Sequence, residues 1–93
     1  MNRELVRSTV FVRAARRFLK KQPHAADNLE AALLLLSEDA HDPRLKTHKL
    51  KGDLDGVWAC SAGFDLRILF EFAQSDAAKV ILLLTMGTHD EAY

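Results

Sequence analysis

The chain has 93 residues, of which 48% are hydrophobic and 28% charged, values typical of one soluble globular domain over residues 1–93. Its formal net charge of zero argues against a nucleic-acid-binding protein that depends on net positive charge alone. No apolar run is long enough to cross a bilayer, the first residues form no signal peptide, and the single cysteine, Cys60, fits a reducing compartment, so we expect a cytoplasmic protein without a membrane partner.

The charges are separated into blocks along the chain. Residues 1–24 carry seven basic side chains and one acidic, and residues 25–43 carry five acids and no Lys or Arg. Residues 44–51 carry four bases and no acid, whereas residues 52–93 carry two bases and seven acids. Such blocks can create a basic face on a neutral protein.

Two amphipathic helices are predicted after a short first strand at residues 4–7. Ser8 or Thr9 is a natural N-cap, and the apolar stripe of the first helix consists of Phe11, Ala14, Ala15, Phe18 and Leu19. Pro23 can begin the second helix, which we expect to extend to about Glu38 with Ala26, Leu29, Leu33 and Leu36 facing inward. The tight turn between them predicts an antiparallel helical hairpin.

The rest of the chain is typical of a sheet. HKLKGDLDG (48–56) is expected to be a loop or edge, and strands are predicted at residues 57–61, 64–72 and 80–86, with turns at Ala62-Gly63 and residues 73–78. In the second of these strands Leu66, Ile68, Phe70 and Phe72 alternate with Asp65, Arg67, Leu69 and Glu71. We therefore expect an α+β fold in the order β-α-α-β-β-β, with both helices on one face of a small, mostly antiparallel sheet.

The opposite face is where we expect chemistry. Strand alternation predicts that Asp65 and Arg67 lie side by side there, and a neighbouring central strand would bring His89 close to them. A histidine, a carboxylate and cations suit RNA cleavage without a metal, in which the 2′-hydroxyl attacks the adjacent phosphate. Each residue also has an ordinary interpretation: Asp65 and Arg67 as a surface ion pair, His89 as a solvated residue, and the HKLK segment as a protected sheet edge.

Three segments together resemble the RelE/ParE superfamily of bacterial type II toxins, most clearly its RelE/StbE and YafQ-like branch. They are THKLKG (47–52), WACSAGFDLRILFEF (58–72) and GTHDEAY (87–93). The resemblance implies an mRNA interferase that cleaves mRNA in the ribosomal A site. It also implies dependence on the ribosome, no metal or other cofactor, and neutralisation by a cognate antitoxin protein.

The resemblance also implies a set of site residues. His48, Asp65 and His89 match catalytic positions of YafQ-like toxins, and Tyr93 matches their closing aromatic residue. Other RNA-contacting positions of RelE-like toxins are matched by Lys49, Lys51 and Arg67, of which Arg67 is also expected to assist catalysis.

Two features depart from the family pattern. Ser61 stands where YafQ-like enzymes carry a further histidine, and the chain is neutral where RelE-type toxins are strongly basic. Alternative readings are a ParE-like, non-catalytic inhibitor of DNA gyrase, a weakly active toxin that mainly binds its antitoxin, and an unrelated α+β binding module.

Overall fold

The computed structural model describes residues 3–52, 56–63, 65–75 and 78–88. Within them lie five strands, two α-helices and two short 3₁₀ helices. The strands are β1 (Glu4–Arg7), β2 (His48–Lys49), β3 (Trp58–Ala62), β4 (Leu66–Ser75) and β5 (Ala78–Thr88). The helices are α1 (Thr9–Lys21) and α2 (Ala26–Glu38), and the 3₁₀ helices cover Pro23–Ala25 and Pro43–Leu45. The predicted order of elements is confirmed, and His48 and Lys49 of the HKLK segment form the short edge strand β2.

Helix α1 begins where its capping chemistry predicts. The Ser8 hydroxyl accepts a hydrogen bond from the Phe11 backbone N–H at 3.0 Å and donates one to the Leu84 carbonyl oxygen, also at 3.0 Å. The cap therefore also ties the helix to β5. Phe11, Ala14 and Phe18 are buried, as the apolar stripe predicts.

Helix α2 differs from its prediction in start and phase. Pro23 begins a 3₁₀ turn rather than the helix, which starts at Ala26. The buried stripe then runs through Ala25, Leu29, Ala32 and Leu36, while Ala26 is exposed. The prediction that Ala26 faces inward is wrong because the residue one turn before Leu29 on this stripe is Ala25.

The strands form one sheet in the order β1-β5-β4-β3-β2. β1 pairs with β5 in parallel, and the remaining neighbours are antiparallel. The prediction that residues 80–86 form a central strand beside 64–72 is confirmed. Both helices pack on one face, where their buried residues join Cys60, Leu66, Ile68, Phe70, Ile81, Leu83 and Met86 in the main core.

A bulge in β5 gives the other face its own small apolar cluster. Leu69 pairs with Thr85 and Phe70 with Leu83, so Leu84 is the extra residue between them. Leu83 consequently points into the main core, and Leu84 packs with Val57, Ala59 and Leu69 on the face opposite the helices.

Two predicted boundaries need correction at the ends of β4. The strand begins at Leu66, so Asp65 belongs to the preceding turn. At the other end it continues to Ser75, and its partner β5 begins at Ala78, so most of the turn predicted at 73–78 is strand. Ala73 and Gln74 pair with Val80 and Lys79, which extends the hairpin ladder beyond the apolar pattern.

Trp58 lies in an aromatic group at one end of the core. Its ring makes edge-to-face contacts with Phe72 and His41 at centroid distances of 5.3 and 5.6 Å, and the Arg3 guanidinium lies 5.0 Å from the centre of the Phe72 ring. Trp58 is half-buried and packs against the main core. Among the described residues, no helix has the length and apolar character needed to cross a membrane.

Candidate functional site

Arg67 lies at the centre of a row of residues that crosses three strands. In β4 it pairs with Ser61 of β3 on one side and with Gly87 of β5 on the other. Its sequence neighbours Leu66 and Ile68 point into the main core, so Arg67 lies on the face opposite the helices. The side chain is half-buried and donates one hydrogen bond, at 3.3 Å, to the Leu66 carbonyl oxygen.

His48 shares that face with Arg67. It pairs with Ala59, which in turn pairs with Leu69, a residue of the cluster opposite the helices. Two strand spacings and two residues of rise separate the Cα atoms of His48 and Arg67 by about 12 Å. The His48 Nδ1 atom lies 3.0 Å from the Lys46 carbonyl oxygen. A proton donated from Nδ1 to that carbonyl makes Nε2 the basic nitrogen of the neutral ring.

Lys49 and Lys51 lie at the β2 edge of the sheet. Lys49 pairs with Trp58, a residue that packs against the main core, so the register assigns Lys49 to the helix side, unlike His48. Lys51 follows Leu50, whose N–H donates to the Val57 carbonyl oxygen at 2.9 Å. Both lysines are exposed, and β3 separates the strand β2 from the strand that carries Arg67.

Asp65 does not lie beside Arg67 within a strand, contrary to the prediction. It is an exposed turn residue that lines a cleft of about 180 Å³ together with Gln22, His24 and Asn28. Those three residues come from the end of α1, the 3₁₀ turn and α2, so Asp65 meets the helical hairpin. The strand pattern could not reveal this because the hydrogen-bonded part of β4 begins only at Leu66, one residue after Asp65.

His89 and Tyr93 lie outside the described residues. The last described residue of β5, Thr88, pairs with Leu66 at the start of β4. The predicted roles of His89 and Tyr93 therefore stay predictions. The structure brings together the start of β4 and the Gly87-Thr88 end of β5, which carry Arg67 and precede His89 in the chain.

A second cleft at the same end of the sheet was not predicted. It has a volume of about 310 Å³ and lies between α1 and the last residues of β5. Arg17 and Lys21 line it on the helix side, and Thr85, Gly87 and Thr88 line it on the strand side. The i, i+4 spacing of Arg17 and Lys21 places them on one helix face, but the sequence pattern does not say which strand end they meet.

Arg44, the first base of the block at 44–51, has a local partner. Its side chain makes two hydrogen bonds to the Asp42 carboxylate, each 3.0 Å long. These bonds, with a third from the Arg44 backbone N–H, lower the pKa of Asp42 below its ordinary value. Lys46, Lys49 and Lys51 are the other cations of this block.

Comparison with known proteins places these observations in a family context. The model of a family described as a bacterial toxin of type II toxin–antitoxin systems, YafQ, matches residues 3–93. No curated protein matches the chain in sequence.

Several solved structures share the fold. YafQ from Escherichia coli strain BL21(DE3) is 15% identical, with a TM-score of 0.79 and 98% of each chain covered. The toxin of the E. coli DinJ-YafQ complex is 16% identical, with a TM-score of 0.77, covering 100% of this chain and 99% of the other. A YoeB/ParE toxin from Agrobacterium tumefaciens is 14% identical, with a TM-score of 0.75, covering 92% and 98%.

Proposed function

Because this chain belongs to the YafQ family of bacterial type II toxins, we propose that it is an mRNA interferase that cleaves ribosome-bound mRNA. One observation carries the proposal. The pairing of Arg67 with Gly87 and of Leu66 with Thr88 brings the two residues that precede His89 to the start of β4, which directly follows Asp65. These residues supply the groups that cleavage by a 2′-hydroxyl needs.

The reaction is a transesterification within the RNA chain. The 2′-oxygen forms a bond to phosphorus, the bond from phosphorus to the 5′-oxygen breaks, and the products end in a 2′,3′-cyclic phosphate and a 5′-hydroxyl. One group accepts the 2′-hydroxyl proton and another donates a proton to the leaving 5′-oxygen. The substrate must be RNA, since DNA has no 2′-hydroxyl.

We assign the roles as follows. His89 is the general acid or the general base, and Asp65 accepts the 2′-hydroxyl proton or orients His89. Arg67 stabilises the negative charge of the phosphorane with its paired donors. His48 assists from the same face, with a basic Nε2 favoured by the contact of Nδ1 with Lys46.

The remaining residues hold the substrate rather than transfer protons. Lys49 and Lys51 bind phosphates that flank the reacting one, and Tyr93 stacks on a base or orients the phosphate. The ribosome supplies the aligned mRNA, and alignment of this kind lowers a barrier by about 7–11 kcal/mol in favourable cases. Such help would explain how a site with Ser61 in place of a histidine can be active.

The partner proposed for the toxin is a cognate antitoxin. The related toxin from E. coli forms a complex with DinJ, described as a toxin–antitoxin complex. We propose that this chain is likewise neutralised by an antitoxin whose acidic segment covers Lys49, Lys51 or Arg67. Co-expression should then yield a stable complex that no longer cleaves mRNA.

Mapping the ends of mRNA in a translating extract tests the function. The nuclease proposal predicts new fragments with 2′,3′-cyclic phosphate and 5′-hydroxyl ends, formed only while ribosomes translate. Intact mRNA together with inhibited supercoiling by gyrase would overturn it in favour of a ParE-like inhibitor. Intact mRNA and unaffected growth without the antitoxin would instead indicate a toxin that mainly binds its antitoxin.

A further inference from the structure

The two clefts at the end of the sheet adjoin each other, and together they are called the groove. Phe18 and Gln22 of the α1 end line both of them. One part of the groove lies between α1 and the last described residues of β5, and the other lies between the helical hairpin and Asp65. It therefore links Asp65, which we place in the reaction site, with a basic part of α1 to which no role has been assigned.

The β5 half of this groove has the character of an anion site. Its described lining residues include two cations, Arg17 and Lys21, the amide of Gln22 and the hydroxyl-bearing Thr85 and Thr88, and none is acidic. Arginine and lysine bind phosphate through charge-assisted hydrogen bonds, and hydroxyl and amide groups add neutral donors. A cleft with these donors suits the phosphates of a nucleic acid backbone.

The position of Arg17 and Lys21 distinguishes them from the other cations of α1. The helix carries five exposed basic residues and no acid: Arg13, Arg16, Arg17, Lys20 and Lys21. Lys20 and Lys21 both complement the helix dipole at the C-terminal turn. Only Arg17 and Lys21 of this set line the cleft beside Thr88.

Gly87 connects this cleft with the row that contains Arg67. It lines the cleft and pairs directly with Arg67. The cleft is therefore bounded by the strand next to that of Arg67. A strand of RNA whose reacting phosphate is held by Arg67 can extend across Gly87 into the cleft.

We infer that Arg17 and Lys21 form a phosphate-binding subsite for the substrate strand, next to the reacting phosphate. The inference rests on the proposed RNA cleavage for its ligand, and it deepens that proposal by assigning the basic block of residues 1–24. It predicts contacts to the sugar–phosphate backbone, which add affinity without reading sequence.

Binding of an uncleavable single strand, methylated at every 2′-oxygen, tests the subsite. We expect the double variant R17Q/K21Q to bind this strand at least about tenfold more weakly than the unaltered chain. The plot of the logarithm of the association constant against the logarithm of the salt concentration has a negative slope, and its magnitude should decrease by about 1.4. Each phosphate contact on a single strand contributes about 0.7 to that magnitude. The matched control R16Q/K20Q removes the same charge from the same helix and should change both quantities little.

Several outcomes would overturn the subsite. They are no saturable binding of the strand, an equal loss in R16Q/K20Q, and an unchanged affinity in R17Q/K21Q. If the affinity of R17Q/K21Q for the strand is unchanged but the variant sediments less with ribosomes, ribosomal RNA is the favoured ligand of the cleft. If the affinity is unchanged but the variant no longer forms the antitoxin complex, an acidic antitoxin segment is the favoured ligand. Because methylation removes the attacking hydroxyl, binding is measured separately from cleavage, and failure of the proposed nuclease activity would appear only in the mapping of mRNA ends.

Discussion

Gly87 of β5 pairs directly with Arg67 of β4, whose side chain lies on the face of the sheet opposite the two helices. Directly paired residues of antiparallel strands have Cα atoms about 4.5–5.5 Å apart. The strand register therefore holds the backbone just before His89 close to Arg67. This relationship is the structural basis for treating the GTH segment and β4 as parts of one site.

Arg67 should be important for cleavage and unimportant for folding. Its guanidinium donates a hydrogen bond to the carbonyl oxygen of the neighbouring Leu66, a contact that ties it to no other element of the fold. We expect R67A to reduce the cleavage rate on ribosomes by about 10²–10³, as for loss of one donor to a transition-state oxyanion. R67K should retain the charge but lose the paired donors, so its cleavage rate should lie between those of R67A and the unaltered chain.

A suitable control for this series is R44A. Arg44 is exposed, and its guanidinium is bound by Asp42. R44A should cleave at nearly the unaltered rate. A normal cleavage rate for R67A would remove Arg67 from the mechanism.

Ser8 should stabilise the junction between α1 and β5. Its hydroxyl caps the helix and also binds the Leu84 carbonyl oxygen, so S8A loses two hydrogen bonds at once. We expect a loss of about 1–2 kcal/mol in the free energy of unfolding, measured by urea denaturation. S8T keeps the hydroxyl and should lose much less, whereas equal losses in S8T and S8A would contradict the capping role.

Phe70 should be among the most costly residues to truncate. It is fully buried between the helices and the sheet, and its ring lies 5.3 Å from that of Phe72 in an edge-to-face contact. F70A should lose about 3–5 kcal/mol of stability. L34A provides the contrast, because Leu34 is 60% exposed and its truncation should change stability by about 0.5 kcal/mol or less.

Cys60 should be unreactive in the folded chain. Burial raises the pKa of its thiol from 9.0 to about 12, so the reactive thiolate is scarce at neutral pH. Iodoacetamide should modify Cys60 rapidly in denaturing urea and very slowly in native buffer. Equal rates under both conditions would contradict its burial.

The same shift predicts a dependence of stability on alkaline pH. Between pH 9.0 and about 12 the unfolded chain loses the thiol proton while the folded chain keeps it, so stability falls as the pH rises. C60A should show a shallower loss across this window. The comparison requires urea denaturation of both chains at several pH values.

Local chemistry predicted the elements well where a single residue or a regular stripe determines them. Ser8 begins α1, and β4 buries Leu66, Ile68 and Phe70 on the helix side. The buried face of the second helix was harder to predict because Ala25 and Ala26 are chemically identical. Tertiary packing decided which of them faces the core.

The site was predictable in its residue types but less so in its geometry. The alternation of side chains along β4 correctly assigned Arg67 to the face opposite the helices. It failed for Asp65 because strand pairing begins only at Leu66. The contact between the α1 end and β5 depends on how the hairpin docks. No periodic pattern in the sequence contains that information, and Arg17 and Lys21 were therefore missed.

A double-mutant cycle on His89 and Asp65 tests the central claim most directly. Single-turnover cleavage of mRNA on stalled ribosomes would be measured for H89A, D65N and the double variant, with K79A at the far end of β5 as control. If the two residues act on one phosphate, each single variant should lose about 10²–10⁴ in rate and the double variant little more. Rates near that of K79A for both single variants, or losses that multiply in the double variant, would contradict a shared site.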